Sequence, residues 1–208
     1  MSVQRLPTCE SVRLPGQPGS LPGRSPLHLP FACGPRSDAY SARPQPVKTN
    51  ATRLLDTLEI RYELRTYAVD AHDLSAVKVA AQIGLPPRQV FKTLCAKGDR
   101  HGWMFAVIPG DAELDLKALA RVTENRNVEL VPVSQLQALT GYIRGGVTVL
   151  AARKRFPAWL DAAALDHELI AVSAGVRGTQ ILLAPADYLR ATGAQTARLL
   201  RIGGAAAE

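Results

Sequence analysis

The stretch Val90-Phe91-Lys92-Thr93-Leu94-Cys95 places one lysine among five uncharged residues of the kind that fill buried strands. Alternation along a strand puts Val90, Lys92 and Leu94 on one face and Phe91, Thr93 and Cys95 on the other, so apolar groups fall on both faces, as in a strand covered on both sides. An ammonium carried there must find a partner, open onto a cleft or lose its proton, because desolvation disfavours the charged form. The competing arrangement lays the four-carbon stem on the core and lets the head reach solvent. Lys92 is therefore the first candidate for chemistry.

The neighbouring candidates are weaker. Cys95 has no positively charged or helix-terminal setting that would expose a thiolate, and its strand position reads as a small core thiol. His28, His72, His101 and His167 form no i, i+4 pair, and no cysteine pair has zinc spacing, so neither a metal nor a cofactor is expected. Asp111, Glu113 and Asp115 read as loop and helix-cap acids before they read as a cation site. Gly145-Gly146 supplies either a positive φ for a tight turn or a close approach of backbone to ligand. Nucleotide-loop, nucleophile-elbow and metalloprotease motifs are absent from the sequence. The basic run Arg153-Lys154-Arg155 is the pattern of a solvated loop.

The elements that must position these residues follow from periodicity. Ala51, Leu54, Leu55 and Leu58 recur at helical spacing behind Thr49 or Asn50, and a strand alternates over Ile60–Thr66. Ser75–Gly84 reads as a capped helix, and Pro86-Pro87 as an extended entry to the lysine strand. Gly98–Gly102 turns that strand into a partner at Trp103–Pro109. Asp115 caps a helix to Val122, Val128–Val131 is a short strand, and Ser134 caps a second short helix ending at Thr140-Gly141. Strands at Leu169–Ser173 and Thr179–Leu183 flank a hairpin, and Pro185 opens a last helix over Ala186–Ala191. Hairpins mixed with helices predict an α+β fold with a compact, mixed, barrel-like sheet and surrounding helices.

Nine of the 15 prolines precede Val47, where no apolar period persists, so residues 1–47 are expected to be a disordered Pro-rich tail or the product of a mis-assigned start. Residues 48–203 form the domain, and 204–208 a flexible end. The net charge is +7 over 208 residues, a mild surplus compatible with a polyanion such as RNA. No apolar run approaches the roughly 20 residues that cross a bilayer, and the three cysteines are used sparingly; a cytoplasmic protein with neither membrane nor DNA as partner is expected.

Taken in order, Val90-Phe-Lys-Thr-Leu94, Leu114-Asp-Leu-Lys-Ala-Leu-Ala120, Thr140-Gly-Tyr-Ile-Arg-Gly-Gly146 and Val172-Ser-Ala-Gly-Val-Arg-Gly178 resemble the YbaK/EbsC family, relatives of the editing domain of bacterial prolyl-tRNA synthetase. The resemblance runs from about Ala51 to Ile202. It implies a trans-acting aminoacyl-tRNA deacylase that releases a mischarged amino acid, such as Cys from tRNA(Pro), with the aminoacyl-tRNA 3′ end and prolyl-tRNA synthetase as partners. By the same resemblance Lys92, Gly145 and Gly146 are the catalytic residues, and Tyr67, Ser173, Gly175 and Gln180 bind substrate. Three positions depart from the family pattern: Val149 stands where a proline is usual, Ala174 where a glycine is, and Gln180 where an aspartate is. The alternative, motivated by Gln180 and Val149, is a non-catalytic tRNA-binding or regulatory relative. An aminoacyl ester is already reactive, so positioning and oxyanion stabilisation suffice and no protein nucleophile is required.

Overall fold

The computed structural model describes residues 48–201, so the expectations for the tail and the last residues lie outside the described part. Helix α1 (Asn50–Thr57) opens on a capping box in which Thr49 and Thr52 each bond the other's backbone N–H. Strand β1 (Glu63–Thr66) is shorter than the alternation of Ile60–Thr66 predicts. Helix α2 (Ala76–Ile83) starts at the Ser75 cap and ends at Gly84, whose φ of +69° is the left-handed stop that glycine tolerates.

Pro86-Pro87 is not an extended entry. Only Pro86 is extended, and Pro87 begins a 3-10 turn, Pro87–Gln89, where its fixed φ and missing N–H suit a first helical position. Strand β2 (Phe91–Gly98) and β3 (Gly102–Pro109) then form the antiparallel hairpin, with Lys92 opposite Ile108. Helix α3 (Leu116–Val122) is capped by Asp115, whose carboxylate accepts the Lys117 and Ala118 N–H groups. After β4 (Val128–Leu130), helix α4 (Val133–Thr140) begins directly after Pro132, so Ser134 lies inside the first turn and is not the cap.

Two strands were not legible in the sequence: β5 (Ala158–Asp161) and, at the end of the chain, β8 (Gln195–Ala197). Between them come β6 (Ile170–Ser173), β7 (Thr179–Leu183) and α5 (Pro185–Thr192). The architecture is α+β, as expected, but the sheet does not close. A five-stranded mixed sheet runs β4-β2-β3-β5-β8, with β5 parallel to both neighbours, and a three-stranded antiparallel sheet runs β1-β7-β6. One parallel bridge, Val90 to Ala171, joins them. Closure requires a continuous ladder of matched register. Here β2 meets β6 at its start and β4 at its end on short contacts, and β1 and β8 make no pairing with each other.

The packing centres on β2. The four apolar clusters of the domain contain, in turn, Phe91, Val90, Cys95 and Ala96. The largest places Leu55, Leu160, Val172, Ile181 and Tyr188 around Phe91 and Val107, burying one face of each sheet against α1 and α5. Leu94, read as core from its spacing, is only half-buried.

Gly110 is a point of close backbone packing. Its N–H donates to the Val90 carbonyl at 2.7 Å and to that of Pro87 at 3.3 Å, and a Cβ there would stand 2.7 Å from Ala76 Cβ and 3.0 Å from the Val90 oxygen. Gly110→Ala is therefore expected to destabilise the domain by about 1–3 kcal/mol, the usual cost of overpacking. Urea unfolding measures it, and an unchanged midpoint would mean that α2 and the 3-10 turn yield freely.

Candidate functional site

A cleft of about 550 Å³ opens between β2, the start of α2, the β4–α4 corner and the 144–147 loop. Five of the seven residues singled out from the sequence line it: Tyr67, Lys92, Gly145, Ser173 and Gln180. They come from five separate segments, brought together because β2 touches both sheets while the loop after α4 folds over its end.

Lys92 is half-buried, and its Nζ donates to the Gly110 carbonyl at 3.0 Å. Burial pulls its pKa below the ordinary lysine value, and the carboxylates of Asp111 and Glu113 act in the opposite direction without cancelling it. The snorkelling arrangement does not hold: the head turns into a cleft and takes a backbone partner.

Gln180 sits on β7 opposite Arg65 of β1 and Ser173 of β6. It is 6% exposed, and its Oε1 is buried without a hydrogen-bond partner among the described residues. An orphan buried acceptor carries a desolvation cost, so it is a place where a ligand donor is favoured. Ser173 Oγ accepts the Gly175 N–H at 3.3 Å and holds the turn beside it. Tyr67 is tied by its own N–H to the Gly178 carbonyl, 3.0 Å away.

The two remaining glycines stand back from the cleft. Gly146 is buried, with its N–H engaged by the Ile143 carbonyl at 2.9 Å; a Cβ on it would meet the Val176 and Arg177 backbone at 3.4–3.5 Å. That bond removes Gly146 as a backbone donor to substrate, contrary to its expected catalytic part. Gly145, at φ +86°, lines the cleft, and no hydrogen bond among the described residues engages its N–H. Gly175, at φ +88°, lies against the Tyr142 ring, which a Cβ would approach to 2.9 Å. Its requirement is steric: Tyr142 donates to the Leu150 and Ala151 carbonyls and pins the loop there.

Of the three departures from the resembled pattern, only Gln180 reaches the cleft. Val149 packs between two apolar clusters and Ala174 is fully buried in the largest. Cys95 lines the inner wall, but burial pushes its thiol up to about 11, so it stays protonated at neutral pH and is no nucleophile. Asp111 pairs with Arg88 at 3.6 Å, and among the described residues no three His, Cys, Asp or Glu side chains converge as a metal site needs. Sequence reasoning missed Gly110, Arg144 and the apolar wall of Leu74, Leu130, Val133 and Leu136. Nothing in the local pattern at Pro109-Gly110 distinguishes a clasp for Lys92 from an ordinary strand end.

Such a cleft can hold and polarise a bound group by charge and backbone dipoles, and its class is that of small α+β domains that act by positioning. Residues 71–191 match the model of the aminoacyl-tRNA editing domain, and the chain belongs to that family. The match contains Lys92, the glycine pair, Ser173, Gly175 and Gln180, while Tyr67 lies before it. Over 152 residues the chain is 42% identical to an Enterococcus faecalis protein provisionally named Cys-tRNA(Pro)/Cys-tRNA(Cys) deacylase EbsC, covering 73% of this chain and 93% of that one. Two solved structures share the fold. One is provisionally described as a trans-editing enzyme for prolyl tRNA synthetase (TM-score 0.63, 24% identity, 74% of this chain and 99% of that one). The other is the hypothetical protein APE2540 (TM-score 0.67, 22% identity, 74% and 100%).

The lowered pKa of Lys92 has a thermodynamic signature. The unfolded chain keeps the lysine proton at pH values where the fold begins to release it, so unfolding stability rises with pH across that window. Compared with K92M, the parent should gain stability as pH rises towards about 10.4, the unfolded lysine value. Urea midpoints of both proteins over that range test it; a constant difference would show that the ammonium is fully solvated.

Proposed function

We propose that the protein is a trans-acting aminoacyl-tRNA deacylase that clears a mischarged amino acid, such as Cys from tRNA(Pro), in the cytoplasm and alongside prolyl-tRNA synthetase. The observation that carries this reading is the convergence of Lys92, Gln180 and the Gly145 N–H, which has no partner among the described residues, on one mostly apolar cleft within the family match. The resemblance to a relative named for that deacylation supports the choice of substrate.

The ester enters with its carbonyl towards the Gly145 N–H, which stabilises the oxyanion as it forms. Lys92, fixed by Gly110, supplies positive charge to the same end of the cleft, towards the ester and its ribose. The orphan Oε1 of Gln180 receives the free α-ammonium of the amino acid. Attack comes from water or, for a cysteinyl ester, from the substrate's own thiol. In either case the ester C–O bond breaks and the tRNA 3′ end leaves as a hydroxyl. Cys95 takes no part, since its thiol is protonated.

A second reading, a tRNA-binding relative without catalysis, is motivated by Gln180, which offers the α-ammonium a neutral acceptor where the family has a carboxylate. Deacylation of a panel of mischarged tRNAs separates the two. Hydrolysis of at least one member is expected, and none would favour the non-catalytic relative. Gln180→Asp should raise activity on Cys-tRNA(Pro), or shift the preferred amino acid, by about 1 kcal/mol or roughly fivefold, the gap between charged and neutral hydrogen bonds. Identical rates for both proteins across the panel would show that position 180 does not set specificity.

A further inference from the structure

The mouth of the cleft carries two arginines that the ester chemistry does not use. Arg144 lines the cleft and is exposed. Arg177 lays its guanidinium across the same turn, with Nε donating to the Arg144 carbonyl at 2.9 Å. A Cβ on Gly145 would lie 3.5 Å from that Nε, so the guanidinium abuts the cleft-lining glycine.

Among the described residues neither arginine has a carboxylate within ion-pair distance, as is true of most arginines there. The acids of the adjoining hollow, Asp70 and Asp73, are engaged by Lys78 at 2.5 and 3.8 Å. With its Nε bond holding it in place, Arg177 keeps its two terminal nitrogens for an anion, and Arg144 keeps its whole fork.

A residue that lines the cleft yet stays exposed marks where it opens, and two apolar ones do so: Leu130, 48% exposed, and Val133, 55% exposed. The mouth therefore combines unpaired positive charge with a small apolar shelf. That pairing matches a single-stranded RNA end, which presents a phosphodiester and the flat face of an unstacked base.

We propose that the mouth binds the terminal nucleotide of the RNA: Arg144 and Arg177 hold its 5′ phosphodiester, and Leu130 and Val133 receive its base. The ester then lies further in, at Lys92. This assignment rests on the deacylase reading and adds the part of the substrate that the cleft grips outside the reacting bond.

The test uses the full chain and two esters: an aminoacylated RNA minihelix, and 3′-aminoacyl-adenosine, which has the base but no 5′ phosphate. R144A and R177Q, the latter keeping an amide donor for the Arg144 carbonyl, should each lower kcat/KM on the minihelix about tenfold or more. Their losses on aminoacyl-adenosine should be clearly smaller. L130S and V133S should lower both by similar factors. In a separate arm, fluorescence anisotropy with the uncharged minihelix should show the log–log salt dependence falling by about 0.7 when both arginines are removed, the share of one neutralised phosphate. Equal losses on the two esters, or an unchanged salt slope, would overturn the phosphate assignment; losses confined to the minihelix in the apolar variants would overturn the base assignment. If the parent hydrolyses neither ester, the deacylase reading fails, and the anisotropy arm still decides the nucleotide site.

Discussion

The site depends on the absence of a side chain at Gly110. Its backbone N–H closes onto the carbonyls of Pro87 and Val90, its Cα lies against Ala76, and its carbonyl accepts the Lys92 ammonium. Four parts of the chain meet there: the start of α2, the 3-10 turn, Val90 just before β2 and the end of β3. A hydrogen bond to a charged group contributes about 1.5–3 kcal/mol, comparable with what partial burial of an ammonium costs. The lysine is thus held in place more than it stabilises the fold, and the lowering of its pKa records that imbalance.

From this point the rest of the cleft follows. Because β2 contributes to three apolar clusters and Val90, just before it, to the fourth, its backbone is fixed from every side, and Lys92 inherits that rigidity. The facing wall is a loop, and it is ordered by Tyr142: the phenol bonds two carbonyls while its ring covers Gly175. Among the described residues the Gly145 N–H has no partner, while that of Gly146 is satisfied by Ile143. On the third side, the Gln180 acceptor is buried without a partner, a cost the fold carries where a ligand donor is expected.

Much of this was legible locally. Thr49, Ser75 and Asp115 announce their helices because a side-chain oxygen near the first turn has one good use, and Gly84 ends α2 for an equally local reason. The one lysine in an apolar strand singles out a residue that lines the cleft. Parallel pairing was not legible: β5 follows a basic run and a proline, β8 has three residues, and only their neighbours make them strands. Closure of the sheet was over-read for the same reason, since register between distant strands leaves no mark on either one. The different fates of Gly145, Gly146 and Gly175 are likewise tertiary, set by Ile143, Arg177 and Tyr142.

The central claim is that Lys92 serves the reaction and not the fold, and single-turnover deacylation of Cys-tRNA(Pro) by Lys92→Ala, run beside thermal unfolding of the same sample, tests it most directly. The rate should fall by about a hundredfold or more, the scale of losing one preorganised oxyanion contact, with the unfolding midpoint retained. An undiminished rate, or a variant that no longer folds, would contradict it.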